Sequence, residues 1–138
     1  MCEKKEFQCR SCGAKVLGQG KYHAGFNDTG FLYCDKDSTV LTFSSYDPTY
    51  DRLLASICSG RAPHPWGLIE EGNEEALGII EEHLIRCPCG GRFSFKNPLR
   101  CPICGGVFSG PLSETIYFIV LDREIDGEKL NVWNDVPE

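Results

Sequence analysis

Apolar and polar positions change rhythm twice along this 138-residue chain. Between residues 7 and 43 the apolar residues come in short runs broken by Gly, Asn and Asp, which is the pattern of strands and turns. Residues 1–6 read as a frayed, solvated end. Lys15-Val16-Leu17 predicts a short strand and Gly18-Gln19-Gly20 a turn, with residues 25–30 a second turn-rich piece. Phe31-Leu32-Tyr33-Cys34 and Thr39-Val40-Leu41-Thr42-Phe43 predict two strands about the turn Asp35-Lys36-Asp37.

From residue 47 the rhythm becomes helical. Asp47 can cap free N–H groups, and Pro48 fits a first helical turn. Tyr50, Leu53, Leu54 and Ile57 then share one face, and Gly60 is a stop. The prolines of 61–67 predict a loop with Trp66 at its tip. A second helix should begin near Asn73, with Glu74 and Glu75 where the helix dipole favours them. Its apolar face is Ala76, Leu77, Ile80 and Leu84, and Arg86 closes it. Beyond, Arg92-Phe93-Ser94-Phe95-Lys96 alternates as a strand before the Asn97-Pro98 turn. Residues 115–121 are β-branched and aromatic. Asp126-Gly127 is a hairpin signal, with 130–133 as the return strand.

Nine cysteines punctuate these segments. An odd number argues against a fully paired disulfide framework, and the charged N-terminal residues do not read as a secretory signal. The expectation is a reducing, cytoplasmic compartment in which cysteines bind metal. The longest strongly apolar run, 116–121, is far too short to span a bilayer. Formal charge is −6, and residues 61–85 hold six acidic side chains against one basic. This balance disfavours nonspecific binding to nucleic acid or anionic membrane over the whole surface.

Cys87-Pro88-Cys89-Gly90-Gly91 and Cys101-Pro102-Ile103-Cys104-Gly105-Gly106 are two knuckles, each closed by glycines suited to a positive-φ turn. Tetrahedral Zn²⁺ takes four such ligands. The predicted strand between them would carry one knuckle back to the other, so Cys87, Cys89, Cys101 and Cys104 are expected to form one site. Four thiolates would also accept iron. Cys9-x-x-Cys12 is a second half-site, and Cys34-x-x-Asp37 carries aspartate in the place of a fourth cysteine. A second Zn²⁺ site of Cys9, Cys12, Cys34 and Asp37 is the expectation, with His23, Cys58, His64 or water competing for the fourth position. Interleaved pairing across the chain remains open, because spacing does not decide it.

Residues 87–106 resemble the zinc-ribbon, or rubredoxin-like, group on the strength of Cys87, Cys89, Cys101, Cys104 and the Gly-Gly pairs. The Cys-x-Cys first knuckle departs from the usual Cys-x-x-Cys. The resemblance implies structural zinc and leaves the biological role open. The expected fold is α+β: small antiparallel hairpins forming zinc ribbons, a two-helix insertion and a C-terminal β-hairpin. Its regions would be 7–45, 46–86 and 87–135, within one unit.

Catalytic patterns do not emerge. No histidine is followed two residues later by glutamate, as a deaminase signature requires, and no zinc-protease, P-loop or nucleophile-elbow motif occurs. Cys2, Cys58 and His83 read as ordinary structural positions. The function expected is therefore a non-enzymatic zinc-binding interaction module, a class that includes antitoxin- or immunity-like inhibitors. A protein partner would meet the acidic helical stretch 70–82 or the C-terminal hairpin. The alternative is a nucleic-acid-binding ribbon using Arg92, Lys96 and Arg100, although strand alternation turns Phe93 and Phe95 away from Arg92 and Lys96. A zinc enzyme ranks third.

Overall fold

A computed structural model of the chain describes residues 2–21, 29–108, 118–120, 123–134 and 136. Strands β1 (Cys2–Gln8) and β2 (Lys15–Lys21) form an antiparallel hairpin, with Phe7 opposite Val16. The segment expected to fray is thus paired strand, and β2 runs through the glycines expected to turn. Strands β3 (Thr29–Cys34) and β4 (Val40–Ser44) form a second hairpin about 35–38, as the sequence pattern predicts.

Three helices follow. Helix α1 (Pro48–Leu54) starts as expected: Asp47 Oδ1 accepts the Thr49 N–H at 3.0 Å, and Pro48 opens the first turn. Helix α2 (Pro65–Glu71) occupies part of the predicted loop. Its Pro65 sits at the first helical position, where the missing N–H costs nothing, so a proline read as loop is here a helix start. Helix α3 (Glu74–Glu82) is capped by Asn73, whose Oδ1 accepts the Ala76 N–H at 3.2 Å. It buries Ala76, Leu77 and Ile80.

Strands β5 (Phe93–Ser94), β6 (Phe118–Val120) and β7 (Glu124–Asp126) complete two sheets, of order β1-β2-β6 and β5-β3-β4-β7. β6 joins the first sheet antiparallel to β2, whereas β7 joins the second parallel to β4. The Asp126-Gly127 turn therefore leads out of β7, and Trp133 bridges to Leu84 rather than returning along β6.

The main core lies between the β3–β4 hairpin and the helices. Leu32, Leu41, Tyr50, Leu54, Leu68 and Ile80 are fully buried there. Trp133 packs edge-on against Phe43 at 5.0 Å and donates from Nε1 to Asp47 Oδ2 at 2.8 Å, so the α1 cap also anchors the C-terminal segment. A smaller cluster of Phe7, Cys9, Leu99, Cys101 and Phe108 lies against the first hairpin.

Candidate metal centres

The eight expected ligand residues gather into two groups, and the grouping is neither local nor interleaved but nested. Cys9, Cys12, Cys101 and Cys104 form the outer group; Cys34, Asp37, Cys87 and Cys89 form the inner one. In each, one ligand atom per residue lies within 4.8 Å of the others. The expected site of Cys87, Cys89, Cys101 and Cys104 is thereby corrected, because its two knuckles go to different groups. So is the expected set of Cys9, Cys12, Cys34 and Asp37.

Strand pairing decides this. β5 pairs with β3 so that Phe93 stands opposite Cys34, and the Asp35 N–H donates to the Arg92 carbonyl at 3.0 Å. The Arg92 N–H in turn donates to Asp35 Oδ1 at 3.0 Å. These bonds lay the Cys87–Gly91 knuckle against the β3–β4 turn. The second C-terminal knuckle is carried by a separate turn, where the Phe108 N–H donates to the Leu99 carbonyl at 2.7 Å. Phe108 meets Phe7 edge-on at 5.9 Å, which sets that knuckle on the β1–β2 hairpin.

The closest donor separations, that of Cys34 and Cys89 excepted, fit a tetrahedral ion. Zn–S bonds of about 2.3 Å at tetrahedral angles place sulfurs about 3.8 Å apart. In the outer group Cys9 Sγ lies 3.7 Å from Cys104 Sγ, and Cys12 Sγ 3.8 Å from Cys101 Sγ. A carboxylate oxygen and a sulfur on the same ion should be about 3.6 Å apart. In the inner group Cys87 Sγ is 3.6 Å from Asp37 Oδ1, while Cys34 Sγ and Cys89 Sγ approach to 3.4 Å. Both groups could hold a metal ion.

Backbone N–H groups serve most of these ligands from two residues ahead. Ile103 serves Cys101 and Gly106 serves Cys104, each at 3.4 Å; Lys36 serves Cys34 at 3.3 Å and Gly91 serves Cys89 at 3.4 Å. Asp37 follows the same rule, since Oδ1 accepts the Thr39 N–H at 3.0 Å. Aspartate thus enters the knuckle in cysteine's place. Gly91 is needed for closeness: a Cβ there would lie 2.5 Å from Cys34 Sγ.

The clusters differ in protonation. The Cys12 and Ser11 N–H groups, with the thiols of Cys104 and Cys101, hold Cys9 down at about 6 against the opposing effect of burial. Cys12 feels a lowering from the Ala14 N–H, but burial and the three neighbouring sulfurs outweigh it and push it up to about 11. Burial pushes Cys34 up to about 12 and Cys89 up as well. Burial would also raise Asp37, but the Thr39 N–H and the Cys34 and Cys89 thiols prevail and hold it at about 2. The inner cluster therefore keeps an ionised carboxylate beside the raised thiols of Cys34 and Cys89. An ion bound there must displace the thiol protons.

Of the competing ligands, His23 lies outside the described residues. His64 caps α2, its Nδ1 accepting the Gly67 N–H at 2.9 Å, and Cys58 packs against the main core. Among the basic residues, Lys96 Nζ pairs with Glu74 Oε2 at 2.7 Å and Arg100 donates to the Gly105 carbonyl at 2.9 Å. Phe93 is buried. The acidic stretch spans two helices, with Glu70 and Glu71 on α2 and the other four glutamates on α3. With Asp35 and Arg92, α3 borders an open groove of about 580 Å³.

Sequence reasoning missed Arg123. Its Nη2 lies 3.3 Å from Asp37 Oδ2 and 3.9 Å from Cys87 Sγ, and its Nε donates to Thr39 Oγ1 at 2.9 Å. No local pattern marks it, since its partners Thr39 and Asp37 lie 84 and 86 residues away in the chain.

A small α+β protein with two nested, cysteine-rich four-residue clusters is the class this arrangement defines. The chain belongs to the family described as Domain of unknown function (DUF8255), which matches residues 5–108 and so includes all eight clustered residues. Neither the curated proteins nor the solved structures hold a match to it. No helix among the described residues is long and apolar enough to cross a membrane.

Proposed function

We propose that the chain is a non-enzymatic Zn²⁺-binding interaction module that holds two structural ions, one in Cys9/Cys12/Cys101/Cys104 and one in Cys34/Asp37/Cys87/Cys89. The observation that carries the reading is the match to tetrahedral coordination of the outer cluster's sulfur–sulfur separations and the inner cluster's sulfur–oxygen separation. Four protein ligands leave no open position for substrate, so each ion would brace the fold rather than polarise a reactant. Zinc suits a donor set that mixes thiolate with carboxylate.

A protein partner with a basic surface suits the groove along α3, where Glu74, Glu75, Glu81 and Glu82 line one side. Elemental analysis of protein purified without chelator tests the metal reading: two Zn²⁺ per chain are expected, and none would overturn it. Capture of partners by holo-protein, with and without nuclease, tests the second half. Loss of every partner on nuclease treatment would overturn the protein-partner reading.

A further inference from the structure

We infer that Arg123 is a positioning residue of the inner metal site, holding Asp37 and Cys87 in ligating geometry and offsetting their charge. The inference rests on the two-ion reading above. It starts from the inner cluster's own donors. Cys34, Cys89 and Asp37 each accept a backbone N–H, from Lys36, Gly91 and Thr39. For Cys87 the following residue, Pro88, carries no N–H, and a side-chain donor reaches the sulfur.

That donor is Arg123. It reaches Cys87 Sγ at 3.9 Å and Asp37 Oδ2 at 3.3 Å through Nη2. Its own position is fixed from two sides, since Nε donates to Thr39 Oγ1 at 2.9 Å and the Arg123 carbonyl accepts the Val40 N–H at 3.1 Å. Thr39 is fully buried, and its N–H serves Asp37 Oδ1. The carboxylate is therefore gripped on one oxygen by backbone and on the other by guanidinium. Three thiolates, one carboxylate and a divalent ion sum to two negative charges, so a fixed cation beside the two ligands favours the ionised set. Arg123 lies beyond residue 108, where the family match ends. Residues outside the matched region thus tune a site built wholly inside it.

The test uses the full chain loaded with Co²⁺ and, separately, with Zn²⁺. Arg123→Gln keeps a donor without the charge, Arg123→Lys keeps the charge without the fork, and Arg123→Ala removes both. Chelator competition should show the inner site of Arg123→Ala weakened ~10- to 100-fold with the outer site unchanged. The inner site's Co²⁺ absorption should shift in Arg123→Gln and return toward wild type in Arg123→Lys. A merely structural loss would weaken both sites together and leave the inner Co²⁺ spectrum as it was; that result overturns the inference, as do unchanged affinities in all three variants. Should Arg123→Ala fail to fold, the Gln and Lys variants carry the test by the same readouts. Wild-type protein that takes up no ion would instead overturn the two-ion reading, and this inference with it.

Discussion

The outer and inner clusters use the same knuckle, yet they sit in different surroundings. The outer cluster lies against a small apolar group, that of Phe7, Leu99 and Phe108, at the edge of the β1–β2 hairpin. The inner cluster is continuous with the main core, in which Cys34 and Cys87 are buried beside Leu32, Leu84 and Phe93. The lesson is that one ligand motif can serve two structural ends. The outer ion would tie a peripheral hairpin to a distant turn, whereas the inner ion would be part of the interior.

The comparison breaks most sharply under loss of a ligand. Cys34→Ser should abolish the cooperative thermal transition, because it disturbs a metal centre and the core together. Zinc sites in small domains contribute on the order of 10 kcal/mol, comparable with a whole domain's stability. Cys12→Ser should leave a cooperative transition and speed amide exchange chiefly in β1 and β2. Exchange measured residue by residue checks both, and equal damage from the two substitutions would erase the distinction. Chelation under reducing conditions should reproduce the more severe outcome.

Asp37 gives the next largest effect. Asp37→Ala should lower the metal count from two to one, and Asp37→Cys should restore two with a tighter inner site, since thiolate donors suit zinc well. Native mass spectrometry counts the ions. Two ions in Asp37→Ala would remove Asp37 from the ligand set.

A smaller effect is expected at Gly91, where an added Cβ would meet Cys34 Sγ and Asp35 Oδ1 at 2.5 and 2.7 Å. Gly91→Ala should weaken the inner site and spare the outer. Chelator competition on the two sites would report it.

Acid should separate the clusters by slope. Cys9 ionises at about 6, so below that pH it adds a proton that an ion in the outer cluster must displace. Asp37 stays ionised down to about 2, so it adds none in the inner cluster over the same range. As pH falls below about 6, log affinity should therefore gain slope at the outer site and keep its slope at the inner. The sign for folding follows from the same directions. The depressed Asp37 stabilises the fold above its unfolded pKa, and that contribution is lost as pH falls toward about 2. The raised Cys34 contributes below the ordinary thiol value of 9.0, and its contribution is lost as pH rises through about 12. Metal-release titrations measured from pH 7 downward check the slopes.

The sequence by itself determined the residues that gather in the two clusters, the knuckle turns and the helix starts at Asp47 and Asn73. These are local: they depend on an i+2 N–H, a positive-φ glycine or a capping oxygen, all legible within a few residues. The C-terminal hairpin did not follow from its turn signal, because Trp133 of the expected return strand bridges to Leu84 and β6 pairs with β2. Nor did spacing reveal which knuckles meet. Cys89 and Cys101 stand only 12 residues apart, against 89 for Cys12 and Cys101. Loop entropy favours the local pairing by only about 2 kcal/mol, a margin that packing easily exceeds. The registers of β3 with β5 and the contact of Phe7 with Phe108 exceed it here. Arg123 was beyond sequence reading for the same reason, since its role exists only where β7 lies beside β4 and brings a guanidinium to Asp37.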